Sequence, residues 1–209
     1  MKFIVDFDDV LFNAAGLKET FFKALENKGI QNARDEYHFE RKNDRPFSLK
    51  LFLKRICDEK GIVDSDALYQ EVMEVCKDLV NKELVEVLKE HGMHNCYIVT
   101  NGEEEFQKDK ITRTGLESLV REVIVVPGAK KEVVEMLCAK YPTETIIFID
   151  DKNKFFTDIT MEACPNLKTV VYNENGLENL KAEIAETKKD EQSKVIAAPQ
   201  EGGHGPTMK

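Results

Sequence analysis

The stretch Phe3-Ile4-Val5-Asp6-Phe7-Asp8-Asp9-Val10-Leu11-Phe12 decides how the rest of the chain is read. An apolar run meets three carboxylates within four positions. Phe3, Ile4 and Val5 have the unbroken apolar text of a strand covered on both faces, the habit of parallel sheets. In an open parallel sheet, ligands bind beyond the carboxyl ends of the strands. Asp6 and Asp8 stand at that end, and the two-residue period of extended chain points both the same way. Carboxylates so placed repel, and a cation between them removes the repulsion. The alternative is a solvated acidic turn after a strand.

Downstream of this strand the pattern is helical for some eighty residues. Leu17, Phe21, Ala24 and Leu25 share one face, with Gly29 as a stop. Residues 31–46 read as polar and irregular. Leu49, Phe52, Leu53 and Ile56 predict a second helix closed near Gly61. Leu68, Val72, Val75, Cys76 and Leu79 predict a third, with Asp64 or Ser65 at its cap. Val80, Leu84, Val87 and Leu88 carry the period on to Gly92, as one long helix or two in tandem. From residue 95 strands and helices alternate. Strands are expected at residues 96–99, 123–126, 145–149 and 169–172, separated by helices of ordinary length. That alternation predicts an α/β fold, a doubly wound (Rossmann-like) parallel sheet of about five strands. The core is expected over residues 1–14 and 79–187, with a small α-helical cap domain inserted over 15–78. The Gly/Pro-rich, polar tail over 188–209 is expected to be disordered.

Composition narrows the function. The hydrophobic fraction of 42% supports a core, and a net charge of -9 disfavours nucleic acid or an anionic membrane as partner. No apolar run approaches a membrane span, and the first strand begins at once after Met1-Lys2, so no signal peptide is expected. The five cysteines (Cys57, Cys76, Cys96, Cys138, Cys164) lack Cys-x-x-Cys spacing and read as core thiols of a cytoplasmic protein.

Three further strand ends carry polar residues out of keeping with the apolar text before them. Thr100-Asn101-Gly102 closes one strand, Lys130 follows Val126-Pro127-Gly128, and Asp150-Asp151 closes another. Together with Asp6 and Asp8 they are expected to converge on one sheet edge. Thr100 also suits an N-cap, and register leaves Lys130 and Lys131 as alternatives. Arg34, His38, Arg41, Lys42 and Arg45 make a locally basic stretch in the insert, read as a solvated loop because acidic residues are interleaved.

At these four places the sequence resembles the haloacid dehalogenase-like superfamily of hydrolases. Asp6-Phe7-Asp8 is similar to the first motif of that family and Thr100-Asn101-Gly102 to the end of its second. Lys130 resembles the third-motif lysine, and Asp150-Asp151 the fourth-motif acidic pair. Two positions depart: Asp9 stands where the family usually has Gly, and Phe155 where a further acid is frequent, with Asn153 or Asp158 as substitutes. The resemblance implies a phosphatase that takes a small phosphorylated substrate through an aspartyl-phosphate. It implies Asp6 as nucleophile, Asp8 as acid and base, and Thr100, Asn101 and Lys130 on the phosphate. Mg²⁺ is implied as cofactor, held by Asp6, Asp8 (through its backbone carbonyl), Asp151 and Asp150. A phosphomutase shares these motifs. A module that binds a phosphorylated ligand without catalysis is the rival of another class, with Asp9 in its favour. A receiver-type signalling domain fails on motif order, and haloacid dehalogenation has no use for Asp8.

Overall fold

The computed structural model describes residues 1–42, 46–62 and 64–197. Five parallel strands form one sheet: β1 Lys2–Val5, β2 Cys96–Asn101, β3 Glu122–Val126, β4 Ile146–Asp150 and β5 Leu167–Val171, in the order β3-β2-β1-β4-β5. The winding direction reverses at β1, which pairs with β2 on one side (Val5 opposite Ile98) and with β4 on the other (Val5 opposite Ile149). Such a reversal opens a crevice at the strand ends, and β1 delivers Asp6 into it.

Side-chain alternation along β1 feeds two apolar clusters. Phe3 and Val5 join Leu84, Leu88, Ile111, Leu180 and Ile184 on one face. Ile4 joins Tyr97, Phe148, Val134 and Leu137 on the other. The helices supplying these residues are α5 Lys82–Glu90, α6 Glu104–Thr114 and α9 Gly176–Ala197 on the first face, and α7 Lys131–Lys140 on the second. A short helix, α8 Lys154–Thr157, follows β4.

Between β1 and β2 run α1 Ala14–Asn27, α2 Ala33–Glu40, α3 Leu49–Lys60 and α4 Ser65–Met73. Ser48 caps α3, and Gly61 ends it in the left-handed conformation (φ 67°) that glycine adopts at little cost. Asp64, rather than Ser65, caps α4 by accepting from the Ala67 amide at 2.8 Å. These helices meet around Phe21, Phe22, Tyr37, Phe47 and Phe52, whose rings lie 4.3–6.5 Å apart. This packing is continuous with the first face of the sheet, so the insert shares the core rather than building its own.

Two expectations need correction, and one open reading is settled. The residues read as irregular before Pro46 include helix α2. It buries only Ala33 and is otherwise largely charged, so it has almost no apolar period to read. Of the two readings of residues 65–92, the structure has the one with two helices in tandem: α4 gives way to a 3-10 turn over Glu74–Asp78, and Val80 pairs with Phe12 before α5 begins. The composition-based tail begins too early, because α9 continues through residue 188 to Ala197. Its charged exposed face hides a period carried by Leu180, Ile184 and the buried Thr187. Residues 198–209, and Arg45 of the basic stretch, lie outside the described residues.

The chain leaves the sheet and returns to it at one place. The Asn13 amide donates to Leu79 O at 2.9 Å and the Asn81 amide to Leu11 O at 2.8 Å. Asn13 then caps α1 through Gly16 N, and Asn81 caps α5 through Leu84 N. The Asn81 side chain also donates to Val10 O at 3.0 Å and to the Tyr172 hydroxyl at 2.8 Å. Loss of a cap costs roughly 1 kcal/mol and each internal hydrogen bond about as much. Asn81→Ala should therefore lower unfolding free energy by about 2–3 kcal/mol in denaturant titration, and Tyr172→Phe by about 1 kcal/mol.

Candidate active site

Lys130 organises the strand ends. It sits at the N-cap position of α7, and its side chain is 1% exposed. The ammonium lies 2.7 Å from Asp6 Oδ1 and 2.6 Å from Asp150 Oδ2. Lys131 points out, 43% exposed, with Glu135 at 3.8 Å, so the geometry distinguishes the two lysines. The ring of Phe155 stands 4.7 Å from the Lys130 ammonium. The position that the resemblance associates with a further acid thus holds an aromatic face that favours the cation.

Asp150 is fully buried, and both its oxygens are engaged: Oδ2 by Lys130 and Oδ1 by the Lys152 amide at 2.8 Å. Asp6 is almost as deep. Burial pushes the Asp6 carboxyl up to about 7 despite the opposing charge of Lys130, and burial raises Asp150 in the same way. Asp6, Asp150 and Asp151 each offer an oxygen within 4.8 Å of the others, the one such group of three among the described residues. Carboxylate oxygens at this spacing suit a hard divalent cation such as Mg²⁺. The group contains neither Asp158 nor the Asp8 carboxylate.

Asp8 has its own partners. Lys110 Nζ lies 2.5 Å from its Oδ1, and Gln107 Nε2 donates to its Oδ2 at 2.8 Å. Burial works to raise this carboxyl, but the Lys110 charge and the two hydrogen bonds outweigh it and hold Asp8 below the usual carboxylate range. Asp9 follows with φ 62°. A left-handed residue is needed there, which gives a backbone reason for glycine at this position. Aspartate tolerates that conformation better than most side chains. Its amide donates to Phe12 O at 2.7 Å and closes the turn.

Thr100, near the end of β2, is 1% exposed, and its hydroxyl has no hydrogen-bond partner. It does not cap α6, because Glu103 does so through Glu105 N and Phe106 N. Asn101 donates to Gly128 O at 2.6 Å and ties the β2 turn to the loop carrying Lys130. Asp6, Asp8, Thr100, Asn101 and Lys130 line one cavity of about 560 Å³. Its far wall comes from the insert, with Leu17, Lys18, Phe21, Tyr37, Arg41 and Phe47. Arg41 of the basic stretch thus reaches the cavity, whereas Arg34 is paired with Glu19 at 2.7 Å.

Gln107 and Lys110 escape a reading of the sequence. Helix α6 reads as polar throughout, yet it packs on the sheet and must bury a face. The buried positions are Gln107, Lys110 and Ile111, at spacings of three and four. A polar residue forced into the buried stripe of a helix was the available signal.

No protein-family model matches the chain, and no curated protein matches it in sequence. Solved structures do match. One from Burkholderia xenovorans LB400, described as a haloacid dehalogenase-like hydrolase, is 20% identical, with 84% of this chain and 86% of that one covered at a TM-score of 0.61. A hydrolase from Streptococcus pneumoniae TIGR4 is 14% identical, over 88% of this chain and 97% of its own, at 0.53. At these identities the match is one of fold, and the fold this chain shares is that of the haloacid dehalogenase-like hydrolases.

Proposed function

We propose that the chain is a Mg²⁺-dependent phosphatase that hydrolyses a small phosphorylated compound through an aspartyl-phosphate on Asp6, in a reducing, cytoplasmic setting. The observation that carries this reading is the surroundings of Asp6. A buried ammonium and a buried hydroxyl without a partner line one cavity with it, and Asp150 and Asp151 stand behind it with an oxygen each within 4.8 Å of its own. Dehalogenation has no use for an acid and base at Asp8, which lines the same cavity. An orphan hydroxyl at this depth is costly unless a ligand satisfies it, and a phosphoryl oxygen is an acceptor of the right kind.

In this reading Asp6 attacks phosphorus in line, and Asp8 protonates the departing ester oxygen. Asp8 then takes a proton from the water that hydrolyses the aspartyl-phosphate. Thr100 and Asn101 orient the phosphoryl oxygens, and Lys130 spreads its charge towards them. Asp6, Asp151 and Asp150, with the Asp8 carbonyl, would hold Mg²⁺, which supplies shielding between the nucleophile and the phosphate. The helical insert over 15–78 serves as a cap that shapes the cavity and limits water. The fully engaged oxygens of Asp150 give the larger share of the metal to Asp6 and Asp151.

Hydrolysis of p-nitrophenyl phosphate should depend on added Mg²⁺ and fall by at least roughly 10³-fold in Asp6→Asn. Turnover that survives in this variant would remove Asp6 as nucleophile.

The metal-free protein gives a second check. Asp6 keeps its proton in the fold up to about 7, against an ordinary value of 3.8. Between these values the folded state binds more protons than the unfolded chain, so the Asp6 contribution lowers stability as pH rises. In chelator-treated protein, melting should show Asp6→Asn gaining on the unaltered chain between pH 4 and pH 7 on this account. Added Mg²⁺ should raise the melting temperature of the unaltered chain more than that of the variant.

A further inference from the structure

Helix α6 places two buried polar side chains against Asp8, Gln107 at 4% exposure and Lys110 at 2%. The Lys110 ammonium is packed among aromatic rings, 4.8 Å from the centre of Phe106 and 5.4 Å from those of Phe7 and Phe12. Burying an ammonium is costly, and an apolar side chain of similar volume would pack against the same rings without that cost. The cation therefore has its use at the group it touches, which is Asp8. Gln107 spends its amide donor on Asp8 Oδ2 and on Asn101 O, 3.0 Å away. The close approach depends on Gly102, where an added Cβ would stand 2.6 Å from Gln107 Nε2.

We propose that Lys110 and Gln107 are positioning residues for the acid and base of the reaction. The inference rests on the phosphatase reading. A carboxylate offers about four lone-pair sites. Lys110 takes one on Oδ1 and Gln107 one on Oδ2, which fixes the carboxyl plane and leaves the remaining sites for the cavity that all three residues line. In the first transfer, the Asp6 carboxylate forms the new P–O bond as the ester P–O bond breaks. The electron pair stays on the ester oxygen, which takes the proton that Asp8 acquires from solvent once the anionic phosphoryl group beside it offsets the Lys110 charge. Lys110 and Gln107 keep their own protons throughout and act only through the direction of Asp8.

The test compares kcat/KM, which reports the first phosphoryl transfer, for p-nitrophenyl phosphate and butyl phosphate with Mg²⁺ present. Nitrophenolate departs without a proton, whereas an alkoxide needs one. The ratio of the two values, aryl over alkyl, should rise about 10- to 100-fold in Lys110→Met and in Gln107→Leu, as it does in Asp8→Asn. Lys110→Arg should restore much of the ratio. The double variant Asp8→Asn with Lys110→Met should show no larger ratio than Asp8→Asn alone. Gln107→Leu keeps the ion pair and carries the test if Lys110→Met fails to fold. Equal losses on both esters, or a further rise in the double variant, would overturn the assignment while leaving the phosphatase standing. Absence of turnover of either ester by the unaltered chain would overturn both.

Discussion

The structure turns on one ammonium buried between two carboxylates. Lys130 touches Asp6 from β1 and Asp150 from β4, two strands that the sheet order makes neighbours. Without a cation at that point, the carboxyl ends of two central strands would place like charges in an apolar interior, and each would have to stay protonated. With it, both aspartates are tolerated at depth, but the balance stays negative once Asp151 is counted. That residual charge makes the strand ends a place for a second cation. The fold and the chemistry thus meet in one electrostatic requirement, set by which strands lie side by side.

The two aspartates of the opening motif are two residues apart and face the same cavity, yet they are treated in opposite ways. Asp6 is pushed up by burial and shares its cation with Asp150, whereas Asp8 is held down by a lysine of its own and an amide donor. Separating two carboxyls by environment rather than by distance is how one site holds groups with different duties. Here the separation comes from different elements. α7 and β4 serve Asp6, and α6 serves Asp8. The direction in which each side chain leaves the strand end decides which cation it meets.

Much of this was legible in the residues themselves. The apolar runs at β1, β2 and β4 are uninterrupted because both faces of the sheet are covered, and each gives way to polar residues, of which Asp6, Thr100 and Asn101 line the cavity. Thr100 and Asp150 could be placed from such strand ends, whereas Lys130 is told from Lys131 only by the geometry at the start of α7. What escaped had a common cause. Helix α2 presents too few apolar residues for its period to register. Gln107 and Lys110 are charged or polar in type but core-like in position, and side-chain type is what a periodicity reading scores. The sequence left one helix or two open over 65–92, because Val75, Cys76, Leu79 and Val80 keep a helical rhythm while the backbone changes to a 3-10 turn and a bridge. Asp9 is the converse case. The expected glycine points to a backbone conformation rather than to a chemistry, and aspartate meets that demand with φ 62°.

The paired crossing at Leu11–Asn13 and Leu79–Asn81 gives the helical insert a single point of departure from the sheet, while its apolar residues pack into the sheet's own core. Its entry and exit are hydrogen-bonded to each other, and an asparagine starts the next helix on each side. Joining the two crossings directly would leave all five strands, their order and their crossovers as they are. The added contour between them costs little in closure entropy, since that cost grows only with the logarithm of loop length. Segments of other lengths are thus admissible between the same two anchors where they cover the same apolar face, so the wall of the cavity can change while the charge arrangement at the strand ends is inherited whole.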